Sequence, residues 1–130
     1  MAECRVIHES GLEVEVQSGS MTRLAGVSES LVGSTGIHLA IATIPPGCSS
    51  NPHYHVNCES AIYVSKGRGR FLVGNNLEDA LVIGPGDFIY VPAEAVHQPV
   101  NDGLEPLELI VARNTPVEIV VEVAAEKGRN

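Results

Sequence analysis

Short apolar or alternating runs recur along the chain, each closed by turn residues: "LEVEV" (12–16), "IHLAIATI" (37–44), "AIYVS" (61–65), "RFLV" (70–73), "ALVI" (80–83), "FIYV" (88–91), "LELIVA" (107–112) and "VEIVVEV" (117–123). Period-two patterning over such lengths predicts β-strands. Between them stand "PPG" at 45–47, "KGRG" at 66–69, "GNN" at 74–76, "GPGD" at 84–87 and "NDGLEP" at 101–106. There glycine supplies positive φ, proline fixes φ, and Asn or Asp bonds back to the main chain. No long window holds a helical apolar stripe free of Gly and Pro, so long helices are not expected. The stretch 17–35 is small, polar and weakly patterned and reads as a loop; the tail "AAEKGRN" reads as a frayed end. The expected class is all-β, as a sandwich or a closed barrel, because open edges invite aggregation.

Length and composition narrow the picture. At 130 residues one ordinary core suffices, so a single domain over 1–130 is expected. The chain is 44% hydrophobic but only 4% aromatic, so Val, Ile, Leu and Ala must build that core. A formal charge of -8 with only eight Lys and Arg argues against a nucleic-acid partner. The longest apolar runs fall far short of the ~20 residues that span a bilayer, and "MAECRVIHESG" lacks the apolar core of a signal peptide, so no membrane partner and a cytoplasmic location are expected. Three cysteines, Cys4, Cys48 and Cys58, are expected as free thiols, with Cys58 the one placed to lie near a metal.

The chemistry is concentrated in "NPHYHVNCESAIYVSKG", residues 51–67. Alternation along an extended chain puts His53, His55 and Glu59 on one face and Ser60 on the other. Two imidazoles and a carboxylate converging on one side suit a borderline divalent ion. A second segment, "GPGDFIYVPAEAVHQPVN" (84–101), sets His97 just after an apolar strand and a proline turn, where it can reach into the mouth of a barrel.

Together the two segments resemble the paired motifs of the cupin superfamily. The first has Gly47, His53, His55, Glu59 and Gly67 in the family order, with seven residues instead of six before Gly67. The second has Gly86, Pro92, His97 and Asn101, with Glu94 where a second glycine is usual. "ESAIYV" and "GDFIYVPAEAVHQPVN" are similar to a cupin subgroup labelled as predicted mannose-6-phosphate isomerases.

The resemblance implies a jelly-roll barrel, a double-stranded β-helix, with its core over about 37–123 and its motifs at 47–67 and 86–101. It also implies one divalent metal (Mn, Fe, Zn or Ni) on His53, His55, Glu59 and His97. Counted back from Gly67, Ser60 falls at the acid position; side-chain parity favours Glu59, provided the strand absorbs an extra residue near 59–61.

Such a centre points to metal-assisted proton transfer on a small hydroxy, keto or sugar-like compound, of isomerase or epimerase type. The alternatives are an Fe(II)-dependent dioxygenase and a non-enzymatic small-molecule or metal-binding module. Tyr63, Tyr90, His38 and Glu94 are the candidates for an acid or base, and Lys66, Arg68, Arg70 and Arg113 are the supply of basic groups for a phosphate. A homodimer is expected, built through the apolar strands near both ends.

Overall fold

The computed structural model describes residues 2–123; the tail 124–130, expected to fray, lies outside the described residues. Two antiparallel sheets face each other across an apolar core. The first has six strands in the order β1 (Glu13–Val14), β2 (Thr22–Val27), β3 (His38–Ile44), β10 (Leu107–Arg113), β5 (Ser60–Lys66), β8 (Phe88–Val91). The second has five, in the order β11 (Val120–Glu122), β4 (His53–His55), β9 (His97–Val100), β6 (Gly69–Val73), β7 (Asp79–Ile83). This is the all-β jelly-roll arrangement, with the sheets stacked and not closed by one continuous hydrogen-bond ladder.

Alternation explains why these runs became strands. In β3 the inward residues His38, Ala40, Ala42 and Ile44 are buried, and in β5 Ser60, Ile62 and Val64 are buried while Ala61 and Tyr63 are exposed. The core collects Ile44, Ile62, Val64, Phe71, Ile83, Val91, Leu107 and Leu109 between the sheets. The turn after β5 needs glycine: Gly67 has φ +82, and a Cβ there would lie 2.4 Å from the Pro106 carbonyl oxygen.

The stretch expected as a loop at 17–35 instead contains β2 and a one-turn helix, α1 (Glu29–Val32), capped by the Ser28 side chain on Leu31 N–H. Its inward positions are Arg23, which the site uses, and Ala25, packed at 0% exposure. A strand whose buried face is one arginine and one alanine has no hydrophobic signature to read. Two further strands, β4 and β9, lie inside the histidine motifs.

The extra residue expected near 59–61 is not there. β5 is regular from Ser60 to Val64, and the register against β10 breaks later, where Leu109 pairs with Val64 but Glu108 pairs with Lys66, leaving Ser65 as the bulged residue. Its hydroxyl bonds the Glu108 carboxylate at 2.7 Å. Glu94 takes the left-handed conformation of the glycine it replaces, at φ +67, a strained choice for a residue with a Cβ. The gain there is a 2.7 Å bond from Glu94 N–H to the His55 carbonyl, tying the turn to β4.

Candidate metal centre

Cross-strand pairing assembles the histidines. His53 and His97 are directly opposite across β4 and β9, and His55 lies two residues along the same face. One ring nitrogen from each lies within 4.8 Å of the other two, and the rings are 4.4–5.2 Å apart by centroid. Phe71 stacks on His97 at 15° and holds its plane.

Second-atom contacts orient two of the rings. His53 Nδ1 donates to the Asn51 carbonyl at 2.6 Å, and His97 Nδ1 donates to the Ala95 carbonyl at 2.8 Å. A carbonyl only accepts, so Nδ1 carries the proton and Nε2 presents its lone pair to the cavity. Burial lowers His97 to about 3 and His55 to about 4, with the neighbouring His53 adding to both depressions. His55 Nδ1 is buried with no partner among the described residues. Three imidazoles crowding one point, one of them with an orphaned nitrogen, fit a divalent cation: the donor set suits Mn, Fe, Zn or Ni, and the ring orientation is the one that metal-binding histidines adopt.

The acid beside this cluster is Glu118, not Glu59. Glu118 Oε2 lies 3.3 Å from His55 Nε2, while Oε1 pairs with Arg23 Nη1 at 2.8 Å and Arg113 Nη1 at 3.2 Å. Burial works to raise its pKa, but the two guanidiniums outweigh that and hold the carboxyl below the usual range. Glu118 stands in the connection between β10 and β11. Asn57 pins that connection through the Val117 carbonyl and Ile119 N–H, and Arg113 pins it through the Thr115 and Pro116 carbonyls. Pairing of Val120 with His55 then fixes Glu118 just past the ring.

Glu59 is exposed, its N–H bonded to Asn114 Oδ1, and it is not brought to the cluster. The reason is a change of sheet. Between His55 in one sheet and Ser60 in the other, the chain bends through 56–59 and the strand alternation does not carry across. Ser60 takes the inward slot, 3% exposed, as the count back from Gly67 indicated.

The remaining expectations separate cleanly. Tyr63 and Tyr90 project from the outer face of the six-stranded sheet, away from the cavity. His38 is buried but does not line the cavity; it bonds Glu15 at 2.9 Å, and Glu15 in turn pairs with Arg23. Of the four basic residues singled out from the sequence, Arg113 alone reaches the cavity, whereas Arg70 pairs with Asp102 on the surface. Cys58 is buried, its thiol pushed up by burial, and its Sγ, a His55 nitrogen and a Glu118 oxygen all lie within 4.8 Å of one another. Arg23 and Glu118, which the sequence reading did not single out, are brought to the cavity wall beside the histidines. The available signal was the acid Glu118, one of two interrupting the apolar run 117–123.

Taken together, an all-β double sheet with an inward cluster of three histidines defines a jelly roll with a candidate metal site. The Cupin domain model matches residues 40–113, more than half the chain, and the chain belongs to the cupin family. Uncharacterized protein MJ1618 of Methanocaldococcus jannaschii is 31% identical over 78 residues, 60% of this chain; the chain thus spans about 60% of that relative's length. Among solved structures, the polyketide cyclase RemF of Streptomyces resistomycificus superposes with a TM-score of 0.79 at 19% identity, over 96% of this chain and 89% of RemF. A candidate sugar phosphate isomerase from Acidithiobacillus ferrooxidans is 30% identical with a TM-score of 0.63, over 78% of this chain and 65% of that one.

Proposed function

We propose that His53, His55 and His97 hold one divalent metal ion and that the protein is an enzyme moving a proton on a small hydroxy or keto compound, of the isomerase or epimerase type. The observation that carries this reading is the convergence of three buried imidazoles, two with Nδ1 committed to backbone carbonyls, beside one carboxylate. A divalent ion there would polarise a substrate oxygen and acidify the adjacent C–H or O–H. Glu118 Oε2 is the proton acceptor: it is the only carboxylate lining the cavity among the described residues, and Arg23 and Arg113 hold it through its other oxygen. Those arginines keep Glu118 ionised and aimed, and Met21 and Phe71 help exclude water. The isomerase-type chemistry is also consistent with the likeness to the Acidithiobacillus protein.

Incubating the metal-loaded protein in D2O with a panel of small 2-hydroxy and 2-oxo compounds tests the reading by loss of C–H signals in proton NMR. Wild type is expected to exchange at least one of them. Glu118→Gln is expected to keep its metal and lose exchange by about 10²–10⁴-fold. No exchange, combined with oxygen consumption by the iron-loaded protein, would replace this reading with the dioxygenase one.

We also propose a homodimer, through a surface other than the terminal strands. Leu24, Ile41, Ile110, Tyr63 and Phe88 occupy directly opposed outward positions on β2, β3, β10, β5 and β8, an uncharged apolar row across the six-stranded sheet. Phe88 is 80% and Tyr90 65% exposed. A self-complementary second copy would cover that face. Phe88→Glu should convert a dimer to a monomer by light scattering with little change in Tm; a monomeric wild type sinks the idea.

A further inference from the structure

Ser60 is left over once the histidines and Glu118 are assigned. Its Oγ lies in the cavity wall, in a side chain 3% exposed, with no hydrogen-bond partner among the described residues. A buried hydroxyl without a partner costs about 1–3 kcal/mol, so it calls for a reason. Other strong donors on the wall are engaged. Arg113 spends Nε, Nη1 and Nη2 on Thr115, Glu118 and Pro116, and Arg23 spends both Nη groups on Glu118 and Glu15. Ser60 Oγ is thus the free hydroxyl facing the three histidines across the cavity.

Charge and shape limit what it meets. Arg23 and Arg113 are balanced by Glu15 and Glu118, so a divalent ion on the three imidazoles adds positive charge that a bound anion would offset. The cavity encloses about 50 Å³ and is walled beyond the histidines by Ala42, Ile62, Leu109 and Val111. A phosphoryl group needs several convergent donors, and the two arginines of the wall are already paired with Glu15 and Glu118.

We propose that Ser60 is a substrate-contacting residue, donating a hydrogen bond to one oxygen of a short-chain 2-oxo or 2-hydroxy carboxylate whose hydrocarbon end packs on Ile62, Leu109 and Val111. This rests on the metal assignment above and names the substrate class for that site. It places a sugar phosphate outside the site.

The test titrates manganese-loaded protein with 2-oxobutyrate by calorimetry, using glycerol 3-phosphate as the comparison, on wild type and Ser60→Ala. Metal content is measured first by elemental analysis. Wild type is expected to bind 2-oxobutyrate and not glycerol 3-phosphate. Ser60→Ala is expected to bind it about two- to tenfold more weakly, with unchanged metal content and an equal or higher Tm, because the variant deletes an unsatisfied buried group. Metal-loaded wild type that gives no heat with 2-oxobutyrate, equal affinity in the two proteins, or tight glycerol 3-phosphate binding would each overturn the substrate assignment while leaving the metal site standing. A fall in Tm for Ser60→Ala would overturn it too, by showing that the hydroxyl serves the fold. Protein that takes up no metal overturns the site itself.

Discussion

Replacing His53 and His97 together by alanine is expected to abolish metal binding. The two rings are directly opposed across β4 and β9, and each commits Nδ1 to a backbone carbonyl, so both present Nε2 to one point. Removing both leaves His55 as the single imidazole of the cluster, too few donors for a site of this type. Elemental analysis after dialysis should fall from near-stoichiometric metal to background; near-stoichiometric metal in the double variant would overturn the site. Two comparisons locate the acid. Glu59→Ala should leave metal and activity unchanged, since Glu59 is exposed and faces away from the cavity. Glu118→Ala should disturb the centre and also cost stability, because it strands the side chain of Arg113, only 5% exposed, without its carboxylate.

The metal-free protein should become acid-labile well above the carboxylate range. His97 is lowered to about 3 and His55 to about 4, both chiefly by burial, against an ordinary value of 6.5. The sign follows from linkage: below pH 6.5 the unfolded chain takes up protons that the folded rings refuse, so unfolding is favoured. The stability these rings confer is fully present above about pH 6.5 and is lost as pH falls from there toward 4 and then 3. At about 1.4 kcal/mol per pH unit, His97 alone corresponds to up to about 5 kcal/mol, comparable with the stability of a small domain. The rings interact, so they titrate as a set, and the combined loss is less than the sum. Urea unfolding of metal-stripped protein at pH 7.5 and pH 5 should show a clear drop in midpoint at the lower pH. Bound metal should protect at pH 5, because it competes with protons for the same nitrogens. A midpoint unchanged between the two pH values would mean that the histidines are not buried as described.

Much of the fold is legible in the sequence because strand alternation is local. The run 88–91 reproduces Phe88–Val91, and 37–44 differs from His38–Ile44 by one residue. What escaped notice did so for identifiable reasons. β2 carries Arg23 and Ala25 on its buried face, so function and tight packing removed its apolar pattern. β4 is three residues long, and its inward side chains are the histidines themselves. In the site, His53, His55 and His97 were readable from spacing and from the cupin resemblance. Glu59 was misplaced because the parity rule was extended through 56–59, where the chain leaves one sheet for the other.

By itself, then, the sequence determined the all-β class, the turn positions and three of the imidazoles, because hydrophobic period, glycine conformation and ligand spacing act over a few residues. Tertiary structure alone decided which acid, hydroxyl and arginines gather beside the histidines. Glu118 lies 63 positions beyond His55 and reaches it only because β11 pairs with β4. Ser60, Arg113 and His38 share one inward row because β5, β10 and β3 are neighbours in register. Such proximities follow from which strands pair, a long-range outcome of packing the whole core, and no local pattern of residues encodes them.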